Sequence, residues 1–427
     1  MLVRICYTLL LALAAPILLW GLYRTKPGKP AFGARWKEHF GFTPPLLTAE
    51  QPIWIHAASV GEAIAIVPVI KALKKAHPKQ TIVVTTTTST GAEQVAKLGD
   101  LVEHRYMPID FAWCVRGFLK AINPKLFLIV EKELWLNTLS CAHHQKIPTI
   151  IVNARLSERS AKRYQSFGFF THKLLTKIDK ILCLHDDDAQ RFIAIGANKN
   201  QVAVTGSIKY DISIADSVFE QAHDLRQQLG AQRPIFVAAS THQGEDQQVL
   251  DAYQIVQQQY PDAMVIIVPR HPERFDSVAQ LAAEQYGLTV HRRTDNTPIS
   301  VITQLYLADT MGEMLVMLAT ADVTFMGGSL VGEKVGGHNL LEPAAVAKPA
   351  ITGPSFYNFE DITQQLLAAG AIEICQNSHQ LAEQLIILFN DPQRQQQMGA
   401  QGQKIVIENQ GAVKKTITNI NHYLDDN

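Results

Sequence analysis

Several things are scarce in this sequence, and each shortage closes off a class of function. Net charge is zero, 39 basic residues against 39 acidic, so no global field draws the chain to nucleic acid. An anionic partner has to be met by local patches. The five cysteines, Cys6, Cys114, Cys141, Cys183 and Cys375, are odd in number and contain no C-x-x-C pair, which fits reduced thiols rather than a disulfide scaffold. Fifteen histidines include no His-Glu-x-x-His, and His143-His144 lacks ligand spacing, so no metal is expected. Asp186-Asp187-Asp188 fits the acidic first turn of a helix better than an ion site. Neither a P-loop nor the dinucleotide G-x-G-x-x-G pattern is found, and there are no repeats or low-complexity tracts. No bound cofactor is expected.

Long apolar runs are also rare, with one exception. Ile5 to Tyr23 holds 19 residues without a charge, close to the ~20 that a helix needs to span a bilayer. A cleaved signal peptide competes, but only Arg4 precedes the run, whereas Arg24, Lys26, Lys29, Arg35 and Lys37 follow it. The basic flank predicts a retained anchor in residues 1–25 with the body on the cytoplasmic side. A helix lying in the interface is the other placement.

At 427 residues the chain exceeds one ordinary core, since cores stop growing at roughly 250–300 residues. Strand and helix patterns alternate from Ile53–His56 through Thr81–Thr88, Leu126–Val130, Thr149–Val152 and Ile181–Leu184 to Val202–Thr205. After a polar helical stretch, Val218–Gly230, the alternation restarts at Ile235–Ala238. It continues through Met264–Val268, Leu288–His291, Val301–Thr303, Leu305–Leu307, Val323–Met326 and Ala350–Thr352. This predicts an α/β protein with two Rossmann-like, doubly wound domains, residues 26–212 and 213–427, facing a cleft. The last helix, near Ala412–Leu424, can pack on either domain.

Ile53 to Glu62 runs from an apolar strand through small residues to one acid. Ser59 and Glu62 have capping-box spacing, which closes a helix start; a carboxylate at the carboxyl end of a first strand is equally placed to be a general base. Glu131-Lys132-Glu133 closes another strand on the same rim, and paired carboxylates shift each other's pKa. Asn153 to Arg163 is a basic segment after a further strand, either a solvated face or a place for an anionic acceptor. Gly206 to Asp211 puts Lys209 at the domain junction.

In the second half, Gly327-Gly328 and Gly336-Gly337 follow a strand and precede a helix, a pattern that exposes backbone N–H groups to a phosphate. Within Asn339 to Glu342, a carboxylate at a helix start either accepts ribose hydroxyls or favours the helix dipole. Arg270, ending a strand, is either a clamp for phosphate or a surface ion pair. Glu313 is a nucleotide contact unless Asp309 merely caps a helix.

Taken together, Trp54 to Glu62, Asn153 to Ser157, Gly206 to Asp211, Ser240 to Glu245, Pro269 to Phe275, Asp309 to Glu313, Gly327 to Leu330 and Gly336 to Asn339 resemble the 3-deoxy-D-manno-octulosonic acid (Kdo) transferases over nearly the whole chain. The resemblance implies a B-type glycosyltransferase (GT-B) fold and metal-independent, inverting transfer from CMP-Kdo to a lipid A precursor, lipid IVA, at the inner membrane. It implies Glu62 as base, Glu131 and Lys209 as transition-state stabilisers, and Pro269, Arg270, Met311, Gly312, Glu313, Asn339, Leu340, Leu341 and Glu342 as CMP contacts. Two departures stand out. The usual Glu-Thr-Glu-Leu-Trp-Pro-Asn is here Glu131 to Asn137 with Lys132 and Leu136, and the loop from Leu330 to Gly336 is longer. A sugar-nucleotide epimerase of the same fold is the rival enzyme, although two soluble substrates give an anchor little use. A tethered, non-catalytic carbohydrate-binding protein is the rival from another class, disfavoured by the surviving carboxylates and Lys209.

Overall fold

Apolar runs four to seven residues long, bounded by turn residues, become strands buried on both faces, and helices cover them. The computed structural model describes residues 2–24, 30–46, 48 and 50–425; Lys26 and Lys29 of the basic flank lie outside them. The chain forms two units, residues 1–211 with 409–427, and residues 212–408.

The first unit carries β1 (Ile53–His56), β2 (Ile82–Thr86), β3 (Glu103–Tyr106), β4 (Leu126–Val130), β5 (Thr149–Ala154), β6 (Lys180–Cys183) and β7 (Val202–Val204). Their order is β3-β2-β1-β4-β5-β6-β7, and every pair is parallel. Strand order reverses between β1 and β4, where His56 lies beside Ile129, and open α/β sheets bind ligands beyond the carboxyl ends at such a point. Trp54 stacks on Phe127 at 3.6 Å between centroids and locks this central pair.

The second unit carries β8 (Ile235–Thr241), β9 (Met264–Pro269), β10 (Val290–Arg292), β11 (Leu305–Leu307), β12 (Val323–Met326), β13 (Ala350–Thr352) and β14 (Ile372–Ile374). The order is β10-β11-β9-β8-β12-β13-β14, again all parallel, with its reversal between β8 and β12. Val301–Thr303, expected as a strand, is a turn in which Thr303 N–H donates to Ser300 O at 3.0 Å. Val301 is 92% exposed; its β-branched composition suits a strand, but no neighbour offers it a ladder.

The final helix, Ala412–Asp425, belongs to the first unit, one of the two placements its sequence allows. Asp211 draws it there, accepting from Gly411 N–H at 2.5 Å and from Val413 N–H. Ala412 and Ile420 then join the core around Ile53, Ile70 and Leu73. At the other end, the apolar helix Leu2–Tyr23 is long and apolar enough to cross a membrane. Its outward side shows Leu9, Leu10, Leu13 and Ile17. Its first turns are tied to the body: Arg4 Nε donates to Asn137 Oδ1 at 2.6 Å and Tyr7 O–H to Asp110 Oδ2 at 2.8 Å.

Candidate active site

Glu62 lies one turn into the short helix Val60–Ala65, which starts just past β1. Ser59 is the N-cap, and its Oγ accepts from Glu62 N–H at 3.2 Å. In return Ser59 O–H donates to Glu62 Oε1 at 3.0 Å, and Ala58 N–H donates to Oε2 at 2.7 Å. In a capping box the acid reaches back to the N-cap amide; here it reaches one residue further. The cap therefore does not use up the carboxylate's role but fixes its direction. Glu62 is 7% exposed. Burial pushes its pKa up to about 7, against the Ala58 and Ser59 bonds and with the charges of Glu131 and Glu133 behind it. A carboxylate tuned this way is poised to take a proton at neutral pH.

Glu131 follows β4, the neighbour of β1, so the two acids share the point of reversal. Its N–H donates to Val152 O at 2.9 Å and its φ is 63°, a left-handed conformation that costs roughly 1–3 kcal/mol outside glycine. The following helix, Leu136–His144, begins with Leu136 in its first position. Glu133, which the sequence leaves without a role, is half-buried, and burial raises its pKa.

Lys209 sits in the turn Ile208–Tyr210 after the edge strand β7. Asn153, at φ 56° on β5, accepts from Ile208 N–H at 3.2 Å and so draws this turn back over β6. Lys209 is half-buried, and its ammonium has no hydrogen-bond or ion-pair partner among the described residues, Glu62 and Glu131 included. The basic segment forms the helix Glu158–Ser166, capped by Ser157. Arg159, Lys162 and Arg163 are exposed on it, next to exposed Phe167 and Phe169, and Lys173 lies 4.2 Å over the Phe169 ring.

In the second unit, the residues that the resemblance assigns to CMP lie just past β9, β11 and β12. Pro269 ends β9, and Arg270 is half-buried with no side-chain hydrogen bond or ion pair among the described residues. Its charge acts on Glu342, whose pKa burial raises while Asn339 Nδ2, at 3.4 Å, and Arg270 hold it down. Asn339 Oδ1 also accepts from Leu341 N–H at 3.2 Å at the start of the helix Leu341–Ala345, and Leu340 is buried beneath. Arg270, Asn339 and Glu342 thus form one group. Glu313 stands apart: Arg293 pairs with it at 2.8 Å and Thr310 O–H donates to it, holding its carboxyl below the usual range. It shapes a loop whose tip carries Gly312 at φ 90° and Met311, 61% exposed. Asp309 is no helix cap; it accepts from Arg292 and Thr294.

One expectation is overturned here. The amides from Gly327 to Leu330 do not form an open phosphate cradle: Gly327 N–H donates to Ala239 O at 2.8 Å, and one side chain takes the next three. Glu245, fully buried, accepts from Gly328 N–H at 2.6 Å, Ser329 N–H at 3.0 Å and Leu330 N–H at 2.9 Å. It also accepts from His242 N–H at 3.2 Å. An internal anion fills the role that the sequence left for a ligand, and Glu245, present in the Ser240 to Glu245 segment, carried no sign of it.

Two parallel-sheet units, each with its polar residues gathered past the strand ends, have the architecture of the B-type glycosyltransferase fold. The family model described as "3-Deoxy-D-manno-octulosonic-acid transferase (kdotransferase)" matches residues 34–212, and "Glycosyl transferases group 1" matches residues 233–405. A 3-deoxy-D-manno-octulosonic acid transferase of Haemophilus influenzae is 36% identical over 431 residues, covering 99% of each chain. One from Bordetella pertussis is 32% identical over 98% of this chain and 99% of its own. The chain belongs to the 3-deoxy-D-manno-octulosonic acid transferase family. Among solved structures, a UDP-GlcNAc 2-epimerase from Neisseria meningitidis bound to UDP-GlcNAc superposes with a TM-score of 0.53 at 14% identity, over 88% of this chain and 100% of that one. That likeness concerns the fold alone.

Proposed function

We propose that this enzyme transfers Kdo from CMP-Kdo to a lipid A precursor, lipid IVA, with inversion, at the cytoplasmic face of the inner membrane in lipopolysaccharide biosynthesis. Glu62 takes the proton of the acceptor sugar hydroxyl as that oxygen attacks the ketose carbon. Glu131 and Lys209 stabilise the transition state, and Pro269, Arg270, Met311, Gly312, Glu313 and Asn339 to Glu342 hold the CMP. The observation that carries this reading is Glu62 itself, a buried carboxylate aimed by Ser59 and Ala58 and raised to about 7. Support for an anionic lipid acceptor comes from the exposed Arg159, Lys162 and Arg163 beside Phe167 and Phe169. The apolar helix Leu2–Tyr23 serves as the anchor.

The decisive measurement is turnover of purified Glu62→Gln on CMP-Kdo and lipid IVA, with folding checked by circular dichroism. A loss of about 100-fold or more in kcat is expected for removal of a general base. Retention of most of the turnover would rule the role out. Mass spectrometry of the lipid product counts the Kdo residues added.

A further inference from the structure

Three histidines meet past the strand ends of the second unit: His242 after β8, His271 after β9, and His338 in the glycine loop after β12. The rings of His242 and His338 lie 12° from parallel with centroids 5.1 Å apart, and their Nε2 atoms are 2.9 Å apart. That separation is a hydrogen bond, so one Nε2 carries the hydrogen and the other accepts it. His271 meets His242 edge-on at 5.5 Å. The loop is built to bring His338 here. Gly337 N–H donates to Gly328 O at 2.9 Å, and a Cβ on Gly328, which has φ 68°, would come within 2.8 Å of the His338 ring.

Two arginines and a third imidazole stand near the pair. Arg270 approaches from the segment after β9 with no ion-pair partner among the described residues, Arg274 approaches paired with Asp246, and His271 lies 3.9 Å from Glu273. Of the acids on neighbouring elements, Glu245 is committed to four backbone N–H groups, and Glu342 faces Arg270. Burial, reinforced by these charges, lowers His242 to about 4 and His338 to about 3, so the pair is neutral at pH 7. An anion beside Arg270 works against that balance, because it offsets the arginine's charge and favours a charged ring.

We infer that His242 and His338 together take up one proton when the nucleotide phosphate binds, and that the resulting imidazolium–imidazole pair stabilises the phosphate as it leaves the sugar. This rests on the CMP-Kdo reading above. In the step, the bond from the acceptor oxygen to the ketose carbon forms and the bond from that carbon to the phosphate oxygen breaks. The electron pair stays with the phosphate, whose charge goes from one minus to two minus. The acceptor's proton goes to Glu62. The proton on the pair comes from solvent as the nucleotide binds and returns there when CMP departs.

The test is calorimetric titration of CMP into the full-length, detergent-dispersed protein at pH 7.5, in buffers of different ionisation enthalpy. Uptake approaching about one proton per CMP is expected, and none on titration with cytidine. His242→Asn and His338→Asn should bind CMP without uptake. Their kcat should fall about 100-fold and lose its alkaline limb, while the acid limb from Glu62 stays. Should those variants misfold, 15N spectra of the histidine rings of the unaltered protein report the same proton on addition of CMP. CMP binding without proton uptake, or uptake undiminished in both folded variants, overturns this inference and leaves the donor reading standing. Failure of CMP to bind at all sinks the donor reading and this inference with it.

Discussion

At the scale of single residues, the chemistry of the first unit depends on how Glu62 is held. Its carboxyl is raised from 4.5 to about 7, chiefly by burial, so between those values the folded state binds the proton more tightly than the unfolded chain does. Its contribution to stability is therefore greatest toward pH 4.5 and below, and is lost as pH climbs through 7. Glu62→Gln should accordingly be more stable than the natural protein at pH 8, by about 1–3 kcal/mol, and little different at pH 5. Thermal melts at the two pH values check this, and equal gains at both would contradict it. Activity runs the other way, with kcat/KM rising through an acid limb centred near 7. Ser59→Ala removes the helix cap, worth about 0.5–2 kcal/mol, and also a donor to the ionised carboxylate. The acid limb should then move to higher pH, so that activity falls at pH 7 and recovers in part as the pH is raised toward 8. A limb that stays put would mean that Ser59 only caps. The Ser59 and Glu62 spacing was visible in the sequence, whereas the Ala58 amide and the pressure from Glu133 were not, since both depend on how the chain turns after β1 and β4.

Whole elements were legible to the extent that burial marks them. The central strands β1, β4 and β12 are buried along their whole length and mostly apolar, and their sequence ranges match the structure. The edge strand β3, Glu-His-Arg-Tyr, has no apolar run because its side chains are mostly half-exposed, and β14 is only three residues long. Neither could be picked out. The start of the glycine loop was misjudged for a different reason: the amides of Gly328, Ser329 and Leu330 seemed to need an anion from outside, while Glu245 supplies one from the helix that follows β8. Glu245→Ala should leave four amides without their acceptor, each costing about 1–3 kcal/mol where water cannot reach it. A fall in melting temperature of the second unit by ten degrees or more is expected, with Glu245→Gln, which keeps one acceptor oxygen, falling less. An unaltered melt for the alanine variant would show that water replaces the carboxylate freely.

At the scale of the whole chain, the last helix is the step that the sequence left open, because its apolar stripe would suit either unit. The structure settles it through contacts far apart in sequence. Asp211 caps the helix by accepting from Gly411 and Val413 N–H, Asn421 Oδ1 lies 3.0 Å from His77 Nε2, and Ile420 is fully buried. Val413, Ile417 and Leu424 cover the same core, beneath which lie Ile53, Ile55 and Leu73 of β1 and the helix Val67–Ala76. Ending the chain at Glu408 would strip this cover from the strand that leads to Glu62. Burying side chains of this kind stabilises by about 1.5–3 kcal/mol each, so the loss rivals the ~5–15 kcal/mol that holds a typical domain together. Hydrogen exchange on the shortened chain should show protection collapsing in β1, β2 and the helix Val67–Ala76, while β8, β9 and β12 stay protected. Calorimetry should show CMP binding retained. Asp211→Ala in the full chain should give the same pattern in weaker form, since it loosens the cap but leaves Ile420 in place. Equal loss of protection in both units would mean that the helix stabilises more than the core it covers.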